Sequence, residues 1–233
     1  MGFRSIVLAL YILSSTTMAA ASPTNIYIYN DKGDCDGCSG AVAELLDQRR
    51  AQYAYAQKPD ITARGLVGIK LWIQPGGDGI EMALHLKDKH KEALRNFVAA
   101  GGNYLGLCAG AFFADHFVDD ANTIPGLGLL PGVSRDFSPI NKDEMILDII
   151  WNNIRRFMYF QDGATFDLHP SARVHTIARY STGEPAVIEF RYGAGHVILS
   201  GVHPEANNEW RKNLNDPDGD DTYLAQELLD KLL

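Results

Sequence analysis

Polar and apolar positions change period several times along this chain, and each change marks an element. Asn25–Tyr29 is a β-branched and aromatic run that reads as a first strand, followed by a polar loop over Asn30–Gly37. Val42, Leu45, Leu46 and Arg49 then recur at helical spacing and predict an amphipathic helix over Ser39–Arg50. Ala51–Ala56 reads as a short second strand. Ile69–Gln74 reads as a third, ending at Pro75-Gly76-Gly77-Asp78. Leu86, Leu94, Phe97 and Val98 predict a helix over Leu86–Ala100, stopped by Gly101 and Gly102, and Asn103–Leu107 is the next strand. This alternation of strand and helix predicts a parallel sheet with helices on both faces. Ligands of such sheets bind at the carboxyl ends of the strands. The loops after the first strand, after Ile73 and after Leu107 should therefore meet at one site.

The second half of the pattern is richer in strands. Met145–Trp151 and Ile154–Phe160 flank Asn152-Asn153 as a hairpin would, with a helix over Lys142–Phe157 as the competing reading. Val174–Tyr180, Pro185–Arg191 and His196–Ser200 are strand-like, with a turn at Tyr192-Gly193-Ala194-Gly195. Asp221–Leu233 reads as a terminal helix with Leu224, Leu228, Leu229 and Leu232 on one side. No repeat or linker divides the chain, so residues 22–233 are expected to form one α/β domain. Its sheet should be doubly wound and mostly parallel, with a β-rich C-terminal half.

Composition narrows the partners. With 233 residues, 46% hydrophobic and 21% charged, the chain can bury a core without disulfide support. The formal net charge of −8, with no basic stripe or arginine cluster, disfavours nucleic acid. The N-terminus reads separately. Arg4, the apolar run Ile6–Leu13 and Ala19-Ala20-Ala21-Ser22-Pro23 form the pattern of a secretory signal peptide. Residues 1–21 are expected to be removed, leaving a periplasmic or secreted protein without stable membrane insertion. An uncleaved anchor is the alternative, but the run is short for a transmembrane helix.

Chemistry enters at Gly106-Leu107-Cys108-Ala109-Gly110. A strand leads in and a segment of small and aromatic residues, Ala111–Ala114, leads out. Strand, sharp turn and helix make a nucleophile elbow, here carrying a thiol. The flanking glycines permit the tight backbone, and a helix N-terminus beside the sulfur favours thiolate. A buried structural cysteine beside packing glycines is the plainer alternative. The reactive reading requires a base and a group to orient it. His203-Pro204-Glu205 supplies both, because residues i and i+2 of an extended segment point the same way and Pro204 keeps the segment out of a helix. Backbone N–H groups of Gly76, Gly77 and Ala109 are the candidate oxyanion donors. His169-Pro170 has no acidic neighbour and reads as a loop. Each part taken alone reads as a turn; their shared place at predicted strand ends points to Cys108, His203 and Glu205 as catalytic residues.

Three blocks carry a family resemblance: Gln74-Pro75-Gly76-Gly77, Gly106-Leu107-Cys108-Ala109-Gly110 and Gly201-Val202-His203-Pro204-Glu205. They resemble the corresponding blocks of class I glutamine amidotransferases. Phe97–Ala114, together with Tyr159-Phe160-Gln161-Asp162-Gly163 and Val174–Ala186, is similar to the amidotransferase-like N-terminal domain of biotin–protein ligases. The resemblance implies a flavodoxin-like fold and a Cys108–His203–Glu205 triad. Glutamine-cleaving members of the superfamily usually carry glutamine four residues after the nucleophile, where this chain has Phe112. The related DJ-1/PfpI-type proteins usually place histidine directly after the cysteine. Here that residue is Ala109, which leaves the His-Pro-Glu segment as the partner.

Cys35-Asp36-Gly37-Cys38 is a C-x-x-C between strand and helix. It reads as a disulfide or redox pair, with free thiols, a metal site or pairing with Cys108 as the other options. Pairing with Cys108 would mask the nucleophile. Asn215–Asp221 is rich in aspartate, but its glycine is misplaced for an EF-hand, so it reads as a solvated loop capping the last helix. The leading expectation is a thiol-dependent hydrolase of an amide-type bond, acting on a small-molecule or peptide-like substrate without metal or cofactor. A non-catalytic ligand-binding or regulatory module on the same fold is the first alternative. A C-x-x-C thiol–disulfide redox protein is the second.

Overall fold

The computed structural model describes residues 24–138 and 143–233. The expected signal peptide lies outside them. Among the described residues no helix is long and apolar enough to cross a membrane.

The chain opens with β1 (Ile26–Tyr29), α1 (Cys38–Gln48), β2 (Tyr53–Ala56) and, after a 3-10 turn at Lys58–Asp60, β3 (Leu71–Gln74). Next come α2 (Gly79–His85), α3 (Asp88–Ala99), β4 (Asn103–Leu107) and the short α4 (Ala109–Phe113). The second half holds β5 (Gly132–Asp136), β6 (Met145–Trp151), β7 (Ile154–Phe160), β8 (Ala164–Leu168), β9 (Val174–Tyr180), β10 (Pro185–Tyr192) and β11 (Gly195–Ser200). It closes with α5 (Thr222–Leu232).

One nine-stranded sheet runs in the order β2-β1-β3-β4-β11-β10-β9-β6-β7, and β5 pairs with β8 apart from it. The strands from β2 to β11 in that order are parallel, whereas β10, β9, β6 and β7 pair antiparallel. Alternation along each parallel strand divides the core into two layers. Ile26, Ile28, Leu71, Ile73 and Leu105 face one side, with Val42 and Leu46 of α1 and Leu228 of α5. Tyr29, Trp72 and Tyr104 face the other, with Met82 of α2 and Leu94 and Val98 of α3. The α/β class and the mostly parallel first half are as the patterning predicts.

Three differences from the sequence reading are instructive. The helix expected over Leu86–Ala100 is α3, which starts at Asp88, and Leu86 instead caps a separate preceding helix, α2, that the patterning does not predict. The Oδ1 of Asp78 accepts from the Glu81 N–H at 2.9 Å and starts α2. α2 escapes detection because Ile80 and Leu84 stay exposed and break its apolar stripe. The ambiguous segment is a hairpin, not the competing helix. Asn152 and Asn153 have φ of 47° and 66°, the paired left-handed conformation of a type I′ turn. Finally, the aspartate-rich loop before α5 is more than a solvated cap. It wraps the buried Arg211, whose guanidinium meets Asp216 at 3.0 Å, Asp220 at 3.2 Å and the Gly219 carbonyl.

Candidate active site

The site lies at the carboxyl ends of β1, β3, β4 and β11, where the four following loops converge. Cys108 follows β4 at the N-cap of α4 with φ 48° and ψ −109°, a conformation sparsely populated by residues with side chains. Its two glycine neighbours are required by close approach. A Cβ on Gly106 would meet the Gly110 carbonyl at 2.5 Å, and one on Gly110 would run into the Gln74 carbonyl in β3. The elbow thus seats α4 directly on the sheet. α4 spans only five residues, so the helix-dipole contribution expected at the thiol is small.

His203 and Glu205 come from the segment after β11. His203 Nδ1 stands 2.8 Å from Glu205 Oε1, and the two residues are 3% and 1% exposed. The pair does not form as the extended i, i+2 geometry would have it. β11 ends at Ser200, and the Ala206 N–H donates to the His203 carbonyl at 3.1 Å, so a turn brings imidazole and carboxylate together. The His203 N–H donates to the Tyr159 carbonyl at 3.0 Å, and the rings of Tyr159 and Trp210 pack edge-on against the imidazole at 5.6 and 5.5 Å. Burial alone would depress the His203 imidazole, but the charges of Glu205 and Cys108 and its hydrogen bonds to both hold it far above the usual histidine range.

Gly76 joins the parts. A Cβ there would lie 3.0 Å from Cys38 Sγ, 3.1 Å from His203 Cε1 and 3.7 Å from Cys108 Cβ. All three cysteines therefore face one cleft, and their pairing is settled: Cys35 and Cys38 form a disulfide with Cα atoms 5.3 Å apart, while Cys108 is free. The pairing of Cys108 with either of them, one of the sequence options, is not the one seen. Gly77 has φ 137°, and a Cβ on it would collide with the Gly33 carbonyl. Among the described residues the N–H groups of Gly76, Gly77 and Ala109 have no backbone acceptor. Those of the neighbouring Asp78 and Gly110 donate to Gly33 and Pro75. Free N–H groups on both sides of a thiol are what an oxyanion requires.

Sequence reading assigned no role to the opposite wall. The Cys108 Sγ–H donates to the Gln161 carbonyl at 3.6 Å, with the Asp162 carbonyl at 3.9 Å. These are backbone acceptors in the turn after β7, and any residue type supplies a carbonyl, so no sequence signal marks them. Trp210 was missed for a related reason, since a lone tryptophan in a loop has no spacing to read. Phe112 lines the cleft beside Cys108. His169 lies in the turn after β8, away from the cleft, as expected of a loop.

The biotin–protein ligase N-terminal family matches residues 24–123. A biotin–protein ligase of Schizosaccharomyces pombe is 28% identical over 163 residues, covering 60% of this chain and 26% of that protein. An uncharacterized protein of Chlamydia muridarum is 29% identical over 156 residues, covering 58% of this chain and 60% of the other. The chain thus spans about a quarter and three fifths of the lengths of these two relatives. Among solved structures, a glutamine amidotransferase matches with a TM-score of 0.64 at 20% identity, covering 81% of this chain and 94% of that one. Residues 24–123 thus match the model of the biotin–protein ligase N-terminal family, and the chain as a whole has a glutamine amidotransferase-like fold.

Proposed function

We propose that this protein is a thiol-dependent hydrolase of an amide-type bond, with Cys108 as nucleophile, His203 as acid and base, and Glu205 as the group that orients and charges the imidazole. One observation carries the reading: a buried imidazole–carboxylate pair at 2.8 Å stands beside a free thiol on a positive-φ elbow, both facing Gly76. Cys108 gives its thiol proton to His203 as its Sγ attacks the amide carbon, and the oxyanion is held by N–H groups of Gly77 and Ala109. As the intermediate collapses, the C–N bond breaks and His203 protonates the departing nitrogen. Water then gives a proton to His203 and attacks the thioester, and the C–S bond breaks to release the acid. The disulfide and the N-terminal leader pattern fit export to an oxidising compartment.

The reading is tested by the rate at which iodoacetamide labels Cys108, followed by intact mass. At about pH 6, labelling should outrun a model thiol at least tenfold, and His203→Ala should abolish the advantage. A wild-type rate equal to that of the model thiol would sink it. The second reading, a ligand-binding module on the same fold, is favoured by Phe112, which lines the cleft where glutamine-cleaving relatives usually carry glutamine. An activated thiol without turnover of any amide would select that reading.

A further inference from the structure

The cleft over Cys108, about 960 Å³ in volume, has a charge bias that amide hydrolysis does not by itself require. Ten of its described lining residues are Asp or Glu, and none is Lys or Arg. The whole chain holds 29 acidic and 21 basic residues, so an unbiased wall with ten carboxylates would carry about seven cations. The acids also come from separate elements. Asp34 and Asp36 lie on the loop after β1, Asp78 and Glu81 at the start of α2, Asp120 after α4, and Glu209 beyond β11. They surround the opening rather than form one exposed face.

Little neutralises these six from within. Glu209 has an exposed partner, Lys212, at 3.8 Å. Among the described residues, Asp34, Asp36, Asp78, Glu81 and Asp120 have no ion pair with lysine or arginine. Asp34 Oδ1 is buried without a hydrogen-bond partner, an acceptor left open on a residue of the cleft wall. Phe112, Tyr159 and Trp210 add aromatic surface of the kind that receives organic cations. The site itself is defined by Cys108 and His203; the carboxylates bear on what it accepts.

We propose that the ligand of this cleft is an organic cation: an amide or peptide-like molecule bearing an ammonium or guanidinium group. Its charge lies among Asp34, Asp36, Glu81 and Asp120, with its carbonyl at Cys108. This rests on the reading of Cys108 as the reacting centre. A cleft lined by one sign of charge concentrates the opposite ion roughly tenfold or more and repels its own.

Matched methanethiosulfonate reagents test charge preference without any need for turnover. The trimethylammonioethyl and sulfonatoethyl reagents each modify Cys108, read by intact mass, and N-acetylcysteinamide gives the reference ratio. The cation-to-anion rate ratio at Cys108 should exceed the reference by about tenfold or more. It should fall toward the reference when Asp34→Asn, Glu81→Gln and Asp120→Asn are combined. A wild-type ratio equal to the reference, or favouring the anion, overturns the proposal, whether or not the triple variant folds. A preserved ratio with no hydrolysis of lysinamide-type or neutral amides supports the cationic ligand while removing the hydrolase reading. Hydrolysis that favours neutral amides over cationic ones overturns the cationic ligand and leaves the hydrolase standing.

Discussion

The parallel and antiparallel halves of the sheet meet at the cleft but contribute different things to it. From the parallel half, with β11, come side chains and glycines: the disulfide loop after β1, Gly76 and Gly77 after β3, Cys108 after β4, and His203 and Glu205 after β11. From the antiparallel half come mainly backbone groups, the carbonyls of Tyr159, Gln161 and Asp162 that face His203 and Cys108. Parallel strands release all their loops at one edge, so a few short segments distant in sequence can share a site. Antiparallel strands alternate direction, and the turn after β7 is the one that sets carbonyls against the thiol among the described residues. The family match over residues 24–123 falls almost wholly within the parallel half. The glycines of that half are fixed by close backbone contacts, whereas the turn after β7 meets the thiol through carbonyls.

Gly110→Ala attacks that distinction where the expected effect is largest. The new methyl would run into the Gln74 carbonyl, backbone in the middle of the sheet that has nowhere to yield. We expect a loss of about 3 kcal/mol, seen as a melting temperature lower by roughly 10 °C, together with loss of fast Cys108 labelling. A variant that melts like the wild type would mean that the elbow tolerates movement, and the claim of tight constraint in this half would fail.

Glu205→Gln keeps the shape of the orienting residue and removes its charge. Burial, which lowers the histidine, then meets less opposition, and the imidazolium beside Cys108 is lost at lower pH. Labelling at about pH 6 should fall tenfold or more, with little change above about pH 9. Stability follows the same sign. The raised imidazole contributes fully below the unfolded value of about 6.5 and loses that contribution as pH rises toward about 10. The gap in melting temperature between wild type and variant should therefore narrow as the solution is made alkaline.

The same asymmetry explains what could be read from the sequence. β4 and its elbow were legible because alternation places Tyr104 and Leu105 in opposite layers, and because Gly106 and Gly110 are forced by backbone contact. His203 and Glu205 were legible as a pair, though the wrong geometry was expected, since a Pro-containing pentapeptide reads equally well as extended chain or turn. α2 was hidden because its seven residues bury only Met82 and Ala83. β5 and β8 were hidden because they pair only with each other, and β5 buries only Gly132, which leaves no apolar alternation to detect. Charge in the cleft was invisible because its carboxylates are scattered from Asp34 to Glu209 and meet only in three dimensions.

A smaller effect is expected at the seam between the halves, where the loop before α5 meets β7 through the Phe157 N–H and Asp218. Asp221 is 4% exposed, and its Oδ2 has no hydrogen-bond partner. Burial, with Asp218 and Asp216 nearby, pushes its carboxyl up to about 7, against the pull of Arg211. The folded state thus keeps a proton that the unfolded chain gives up above about pH 4, and stability declines as pH rises through that interval up to about 7. Asp221→Asn should raise the melting temperature by a few degrees at about pH 8, corresponding to about 1 kcal/mol, and leave it unchanged at about pH 3.5. An equal gain at both values would assign the effect to packing instead of charge.

Tyr159→Phe carries the smallest expected effect and bears most directly on the comparison. Tyr159 touches the site in two ways: its carbonyl accepts from the His203 N–H at 3.0 Å, and its ring lies edge-on to the imidazole at 5.6 Å. Phenylalanine preserves both contacts and deletes only a hydroxyl. If the antiparallel half serves the site through backbone and shape, Cys108 labelling should change by less than about threefold across the pH range. A tenfold change would show that the hydroxyl itself takes part. The far wall would then hold a side chain whose identity matters, and the division between a chemically specified half and a merely supporting one would have to be given up.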